Sequence, residues 1–182
     1  MSSKKPFWPR VSPHFLACRR GVRAASLNRT VAVGLSGGAD SLALLAALVA
    51  EGHDVLALCV DHRLQEGSRA QAERAAEQAR ELGARARVLS VEAGGAGPES
   101  MEAAARVARY RALAAARAAE ELEVAVAHTA DDQAETLLLG ALRGRVTGMS
   151  ERSEVEGARV VRPLLGAVSY THLRAHETVL DL

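Results

Sequence analysis

A chain of 182 residues accommodates one α/β domain with extensions and is too short for two full-sized domains. Hydrophobic residues make up 48% of the sequence but aromatic residues only 3%, so its core must consist mostly of Ala, Leu and Val. The formal net charge of +1 gives no overall sign of nucleic-acid binding, and the longest apolar run, Leu42 to Ala50, is far shorter than a membrane span.

The N-terminal region carries only basic charge. No acidic residue precedes Asp40, whereas the basic residues before it are Lys4, Lys5, Arg10, Arg19, Arg20, Arg23 and Arg29. Such a block could contact phosphates, or it could be a solvated extension. Ser12 followed by Pro13 predicts the start of a short helix that runs to about Arg20. We therefore expect residues 1–29 to form a basic extension with one short helix.

From Thr30 onward, short apolar runs alternate with helical segments. The predicted strands are Thr30–Leu35, Val55–Val60, Arg85–Val91, Val124–Ala127 and Arg159–Leu165. The predicted helices are Asp40–Ala50, Ser68–Leu82, Glu99–Glu121 and Asp131–Leu142. This alternation predicts an α/β fold, in which a Rossmann-like parallel five-stranded sheet has helices on both faces. Right-handed crossovers would then place the loops that follow the strands along one edge, where such sheets bind ligands.

The first predicted strand leads into a glycine turn with the sequence Ser36-Gly37-Gly38-Ala39-Asp40-Ser41. Its two glycines let the backbone approach an anion, and the N–H groups of the following helix and the two serine hydroxyls can donate hydrogen bonds to it. No Gly-Lys-Ser/Thr follows, so the turn is not a Walker A loop. It predicts a phosphate or pyrophosphate site, although a tight strand-to-helix turn also favours glycine without any ligand.

Two acidic positions could hold a metal ion on bound phosphates. Asp40 suits a phosphate site only if Mg²⁺ lies between the two, although it could also be a simple partner of the helix dipole. Asp132 follows His128 by four residues near the start of the last predicted helix, where a carboxylate is favoured by the dipole. Capping of that helix is the structural alternative for Asp132. His128, at a strand end, could donate to a phosphate or to an activated oxygen.

Arg106 and Arg109 lie three residues apart on one face of the long predicted helix. Arginine holds phosphate with a planar fork, so the pair could clamp phosphates of a nucleotide or of RNA. The same helix carries Arg111 and Arg117 among alanines and glutamates, so an ordinary salt-bridged surface is the alternative.

Several of these segments resemble known signatures. The turn at residues 36–41 resembles the SGGxDS signature of the PP-loop ATP pyrophosphatases, with every fixed position present. In the same order as in lysidine synthetases, the chain also has similar motifs at residues 60–64, 106–110, 127–136 and 162–165. The resemblance to the lysidine synthetase family covers about Thr30 to Leu165 and implies an adenine nucleotide alpha hydrolase-like fold.

The resemblance implies a two-step reaction. ATP, with Mg²⁺, would adenylate the C2 oxygen of the wobble cytidine of tRNA(Ile) with a CAU anticodon, releasing pyrophosphate. Free L-lysine would then attack C2 and expel AMP, leaving lysidine. The site residues implied are Asp40, Arg106, His128 and Asp132 for catalysis, Ser36, Gly37, Gly38, Ala39, Asp40 and Ser41 for the nucleotide, and Asp40 and Asp132 for the metal. Asp61 and His62 are expected to line the nucleotide or cytidine pocket.

The chain departs from the family pattern in three places. The segment Arg145–Met149 is shorter than in many members, and Gln65 stands where many have arginine. The tail from about Val168 to Leu182 resembles nothing expected of the family, and we interpret it as a foreign terminus. We therefore expect residues 30–167 to form the PP-loop catalytic domain and residues 168–182 an atypical tail. Family members continue into tRNA-recognition regions, so we expect this chain alone to bind ATP but to form little or no lysidine.

Two other functions remain open: another PP-loop ATP pyrophosphatase, or a nucleotide-binding fragment without activity. Sulfur-inserting enzymes of the superfamily are disfavoured, because Cys18 and Cys59 lie far apart and form no metal or redox motif. Nothing in the cysteine usage requires an oxidising compartment, and we expect a cytoplasmic protein with no membrane partner. The sequence indicates no oligomeric state.

Overall fold

The computed structural model describes residues 12–63, 67–91, 98–118 and 121–167. Its helices are α1 (Pro13–Ala24), α2 (Ala39–Ala50), α3 (Ser68–Glu81), α4 (Pro98–Ala118) and α5 (Ala130–Leu142). Its strands are β1 (Thr30–Leu35), β2 (Asp54–Asp61), β3 (Arg85–Ser90), β4 (Val124–Ala125), β5 (Arg152–Val155) and β6 (Ala158–Val161). Residues 1–11 of the predicted basic extension, Gln65 and the predicted tail 168–182 lie outside the described residues.

The strands form one sheet in the order β3-β2-β1-β4-β6-β5, which confirms the predicted α/β class. β1 pairs in parallel with β2 on one side and with β4 on the other, and β3 and β6 continue the parallel sheet outward. Among the described strands, β5 alone is antiparallel, and it forms a hairpin with β6 through Glu156 and Gly157.

The predicted sheet was one strand short. The sequence of β5, Arg-Ser-Glu-Val, contains no apolar run, and its residues alternate between exposed and half-buried at the sheet edge. The fifth predicted strand, Arg159–Leu165, corresponds to β6 but ends earlier, at Val161. Pro163 has no N–H group to donate to a strand ladder, so the strand cannot continue through it.

Helices cover both faces of the sheet, as predicted. On one face, α1, α2 and α3 pack on β1 and β2, and all the residues from Ser41 to Leu48 of α2 are buried there. On the other face, Tyr110 and Leu113 of α4 pack on the alternate residues of the strands. None of the helices described combines the length and hydropathy that a bilayer crossing requires.

Helix α1 belongs to the same core as the sheet. Phe15, Cys18 and Val22 are buried against α2 and β1. Of the basic block, Arg19 and Arg23 both form ion pairs with Glu51 at the end of α2. At least these two arginines are therefore used to hold the helices together.

Helix α5 contributes no buried residue, and Leu138, Leu139 and Leu142 on it are exposed. It is held instead by the segment that follows it. The side-chain amide of Gln133 donates to the carbonyl of Met149 at 2.8 Å and accepts from the Met149 N–H at 2.6 Å. The short connection at residues 145–149 therefore docks back on the start of α5.

The parallel pairing brings the carboxyl ends of β1, β2 and β4 to one edge of the sheet. From β1 the chain continues to β2 and β3 on one side of β1, and it then returns to β4 on the other side. The order of the strands therefore reverses direction between β1 and β4. Such a switch point leaves a crevice in open α/β sheets. The polar segments after β1, β2 and β4 meet there.

The turn after β2 is held by Asp61. Its Oδ1 accepts a hydrogen bond from the backbone N–H of Arg63 at 3.0 Å and another from the Ser68 hydroxyl at 2.6 Å. Arg63 and Gly67 have φ of 52° and 89°, so this buried carboxylate stabilises a turn with two left-handed residues. The Ser68 hydroxyl and the Arg63 N–H hold the pKa of Asp61 below its usual value.

We expect Ser68→Ala to lower the free energy of unfolding by about 1 kcal/mol at neutral pH, because it removes a hydrogen bond to a charged group. A lowered folded-state pKa stabilises the fold above the ordinary carboxyl pKa, and this stabilisation is lost as the pH falls through the folded-state value. Denaturant unfolding at several pH values should show the difference from the parent protein closing in acid. Ser90→Ala, at an exposed serine, is the control, and a pH-independent difference would contradict the assignment.

Candidate functional site

A cleft of about 410 Å³ opens at the carboxyl ends of β1, β2 and β4. The turn after β1 forms one side of it, with Ser36, Gly38, Ala39, Asp40 and Ser41 among the lining residues. The segments after β2 and β4 and one face of α4 form the rest, with His62, Arg109, His128 and Asp132. The cleft thus combines three separate loops and a helix.

The glycine turn is ordered by its own serines. The Ser41 hydroxyl donates to the carbonyl of Gly38 at 2.8 Å, so the Ser36 hydroxyl, 3.1 Å away, donates to the Ser41 oxygen. The Ser36 oxygen in turn accepts from the Gly38 N–H at 3.3 Å. Gly38 caps α2 and has no side chain to accept from the first N–H groups of the helix, whose N-terminus lies at the cleft.

Gly37 is required for the shape of this turn. Its φ is 83°, a conformation that L residues adopt only with strain. A Cβ at this position would lie 3.3 Å from the Cβ of Ala75 on α3, so the turn also runs close to that helix. Gly37 does not itself line the cleft but shapes the backbone that does.

Asp40 and Asp132 both line the cleft, but Asp132 is also committed to its own helix. Its Oδ2 accepts from the Thr129 N–H at 2.7 Å and from the Thr129 hydroxyl at 3.0 Å, which forms a capping box at the start of α5. The capping alternative is therefore realised in the structure, and Oδ1 is the oxygen left for any other contact. The described residues contain no group of three or more His, Cys, Asp or Glu side chains arranged to hold a metal ion.

One arginine lines the cleft, and two more lie close enough to act on the charge of His128. Arg109 lines it directly, whereas the Arg106 guanidinium lies over the ring of Tyr110, 5.3 Å from its centroid. Arg162, just after β6, is only 4% exposed and sends its Nε toward His128 Nδ1 at 3.1 Å. Among the described residues, no carboxylate pairs with Arg162, so its charge adds to the potential of the cleft.

Both histidines of the cleft stay neutral near pH 7. Burial, followed by the charge of Arg162, lowers the pKa of His128 to about 4, and Asp132 only partly opposes this shift. Burial and the charge of Arg109 lower the pKa of His62 as well. The Nδ1 of His62 is buried and has no hydrogen-bond partner among the described residues.

The structure brings most of the predicted site residues together. Residues 36 and 38–41, His128 and Asp132 line one cleft, and Arg106 contributes through its charge without lining it. Two residues at the end of β2 were expected to line the pocket. His62 lines it, whereas Asp61 does not and instead uses Oδ1 to hold the turn. Arg162 was not predicted as a site residue. It stood in the motif at residues 162–165 and within the predicted strand Arg159–Leu165, but neither pattern shows what its side chain faces.

Several curated proteins named tRNA(Ile)-lysidine synthase are similar to this chain. The one from Corynebacterium glutamicum is 52% identical over 165 residues, which cover 90% of this chain and 50% of the relative. The one from Corynebacterium diphtheriae is 54% identical over 169 residues, covering 93% and 54%. The one from Nocardia farcinica is 57% identical over 141 residues, covering 75% and 42%. The chain spans about half the length of the curated relatives it matches.

Solved structures share the fold at low sequence identity. The U34-tRNA thiolase NcsA from Methanococcus maripaludis superposes with a TM-score of 0.71 at 22% identity, over 92% of this chain and 65% of that one. The glutamine-dependent NAD⁺ synthetase from Acinetobacter baumannii superposes with a TM-score of 0.59 at 18% identity, over 95% and 34%. At such identities the likeness concerns the fold alone.

A family model described as the PP-loop domain matches residues 17–177, most of the chain. The match includes the glycine turn, the strands on either side of it and the residues that line the cleft. The fold, the site and the relatives agree, and the chain belongs to the PP-loop domain family.

Proposed function

We propose that this chain is the ATP-binding catalytic domain of a tRNA(Ile)-lysidine synthase. In this proposal the protein joins free L-lysine to C2 of the wobble cytidine of tRNA(Ile) with a CAU anticodon, in the cytoplasm, and releases AMP and pyrophosphate. The observation that carries the proposal is the cleft whose lining combines the glycine turn at the start of α2 with Arg109, His128 and Asp132. The identity of about 50% to proteins of that name supports the choice of substrate.

The cleft suits a nucleotide triphosphate for two physical reasons. The turn at residues 36–41 offers backbone N–H groups and the positive end of the α2 dipole, both of which favour phosphate oxygens. Arg109 adds a positive charge at the cleft wall, and the buried Arg162 adds one beside His128, where little water can screen it. A volume of about 410 Å³ lies within the range of small-ligand pockets.

Mg²⁺ fits this donor set if the nucleotide completes its coordination. Asp40 and the free Oδ1 of Asp132 are the carboxylate oxygens at the cleft, and Mg²⁺ is commonly held by one or two carboxylates plus substrate phosphates and water. The ion would neutralise phosphate charge beside these two aspartates. Without a cation between them, the two carboxylates would repel the phosphates of a bound nucleotide.

In the first step the chain positions ATP so that the cytidine C2 oxygen attacks the α-phosphorus and pyrophosphate leaves. The glycine turn holds the departing phosphates, and Arg106, Arg109 and His128 stabilise the charge that develops on the oxygens. In the second step the lysine amine attacks C2 and AMP leaves. The cytidine must leave its stack to enter the cleft, which a single-stranded anticodon loop permits at low cost.

Sulfur transfer is the alternative that the cysteines disfavour. Cys18 and Cys59 are both buried, and neither is among the residues that line the cleft. Burial raises the pKa of each thiol to about 11, so neither supplies a thiolate near pH 7. A reaction with an amine as the nucleophile requires no cysteine at all.

The glycine turn can be tested through ATP affinity. We expect Gly37→Ala to weaken ATP binding about tenfold, because a side chain at positive φ costs roughly 1–2 kcal/mol and shifts the phosphate-binding backbone. Gly52→Ala is a matched control, since Gly52 also has positive φ, 87°, but lies in the turn before β2 at the opposite edge of the sheet. Isothermal titration of ATP with Mg²⁺ measures both. Equal losses of affinity in the two variants would contradict a role for the turn in binding.

The reaction can be tested through AMP release. We expect this chain alone to bind ATP and to form little AMP. Any AMP that it forms from ATP and Mg²⁺ should require both L-lysine and tRNA(Ile) with a CAU anticodon, and Asp40→Ala should abolish it. Ammonia or a sulfur donor that replaces lysine would assign the domain to another PP-loop reaction. ATP binding without AMP under any condition would indicate a nucleotide-binding domain that does not catalyse the reaction alone.

A further inference from the structure

We propose that Arg162 is a positioning residue that holds His128 in a single tautomer, with its hydrogen on Nε2, so that His128 faces the cleft as a fixed hydrogen-bond donor. The catalytic use of this donor rests on the proposed function. The tautomer itself rests only on contacts within the described chain.

The direction of the contact follows from the chemistry of arginine. A guanidinium has N–H donors on all its nitrogens and no acceptor. The contact of 3.1 Å between Arg162 Nε and His128 Nδ1 is therefore a hydrogen bond only if Nδ1 carries a lone pair. A neutral imidazole with its lone pair on Nδ1 carries its hydrogen on Nε2. A doubly protonated ring would turn an N–H toward another N–H and lose the bond.

The guanidinium is held in place from the side opposite to the histidine. Its Nη1 donates to the carbonyl of Ser150 at 2.8 Å and to the Ser153 hydroxyl at 2.8 Å. The backbone N–H of Arg162 donates to the carbonyl of Glu151 at 2.8 Å. These partners lie in β5 or just before it, and Arg162 is 4% exposed. The orientation of the Nε–H group is thus set by the β5–β6 hairpin before any ligand binds.

The charges around His128 favour the same neutral state. Arg162, Arg106 and Arg109 all disfavour a positive ring, and Asp132 alone among the groups acting on it favours one. Burial adds to the arginines, and together they lower the pKa of His128 to about 4. The surrounding charges therefore keep the ring neutral, and the hydrogen bond from Arg162 selects which nitrogen carries the hydrogen.

The arrangement assigns His128 a specific part in the site. His128 lines the cleft and its Nδ1 is turned to the buried Arg162, so Nε2 is the nitrogen available to a ligand. A neutral N–H donor of fixed direction can stabilise an oxygen on which negative charge develops, without transferring a proton. His128 would then serve as a donor to a phosphate oxygen or to the adenylated oxygen, and not as a general base.

The tautomer can be measured without ligand or substitution. In the full chain labelled with ¹⁵N-histidine, long-range ¹H–¹⁵N correlation at pH 7 distinguishes protonated from unprotonated ring nitrogens. His128→Gln identifies the signals by their loss. We expect the shift of a protonated nitrogen at Nε2 and of an unprotonated one at Nδ1. A hydrogen on Nδ1, or averaged shifts that indicate both tautomers, would overturn the proposal.

Substitutions at Arg162 then test the cause. In Arg162→Met we expect averaged His128 shifts and about tenfold weaker ATP binding, whereas Arg162→Lys keeps a donor and should restore the single tautomer at least in part. Ser153→Ala removes one anchor of the guanidinium but not the Nε donor, so the tautomer should persist. An unchanged tautomer in folded Arg162→Met would refute the role of Arg162. If that variant fails to fold, the His128 tautomer measured in the parent protein and in Arg162→Lys still tests the proposal.

The two proposals can fail separately. The tautomer is measured without ATP or tRNA, so a parent protein that shows the Nε2–H form but does not bind ATP contradicts only the proposed function. A parent protein that binds ATP but has its hydrogen on Nδ1 contradicts only the positioning role.

Discussion

The site depends on the parallel pairing of β1 between β2 and β4. This pairing aligns three strand ends at one edge, and the crevice between β1 and β4 is the place from which the connections diverge to opposite sides. The glycine turn after β1, His62 after β2 and His128 after β4 share the cleft only because these strands are neighbours. The apolar core on both sides of the sheet, with α2 buried over most of its length, keeps this edge rigid.

The charge of the cleft combines two aspartates, Asp40 and Asp132, with Arg109 and the nearby Arg106 and Arg162. Several arginines elsewhere in the described chain pair with carboxylates, as Arg19 and Arg23 do with Glu51. Arg162 is instead surrounded by neutral acceptors, an arrangement that costs desolvation energy unless an anion approaches. An anion bound near His128 would offset part of that cost.

Two acidic residues near the cleft serve the fold as well as the site. Asp61 holds the turn after β2, and Asp132 caps α5 through Thr129. Because each uses one carboxylate oxygen for a local contact, its side chain has a defined orientation before a ligand binds. The same contacts mean that substitutions of these residues change loop structure together with any direct contact to a ligand. A change in activity caused by substituting either aspartate can therefore be interpreted only if the stability of the variant is measured as well.

The sequence by itself determined most of the elements, the α/β class and the glycine turn, because these depend on local patterns: apolar runs, helix caps and paired glycines. It also indicated His128 and Asp132, since their spacing lies within one segment. Only the tertiary structure decided the strand order, the antiparallel β5 and the contact between Arg162 and His128. These features join residues far apart in the chain. The polar sequence of β5 gives no periodic signal, and the partner of a buried arginine depends on which strands become neighbours.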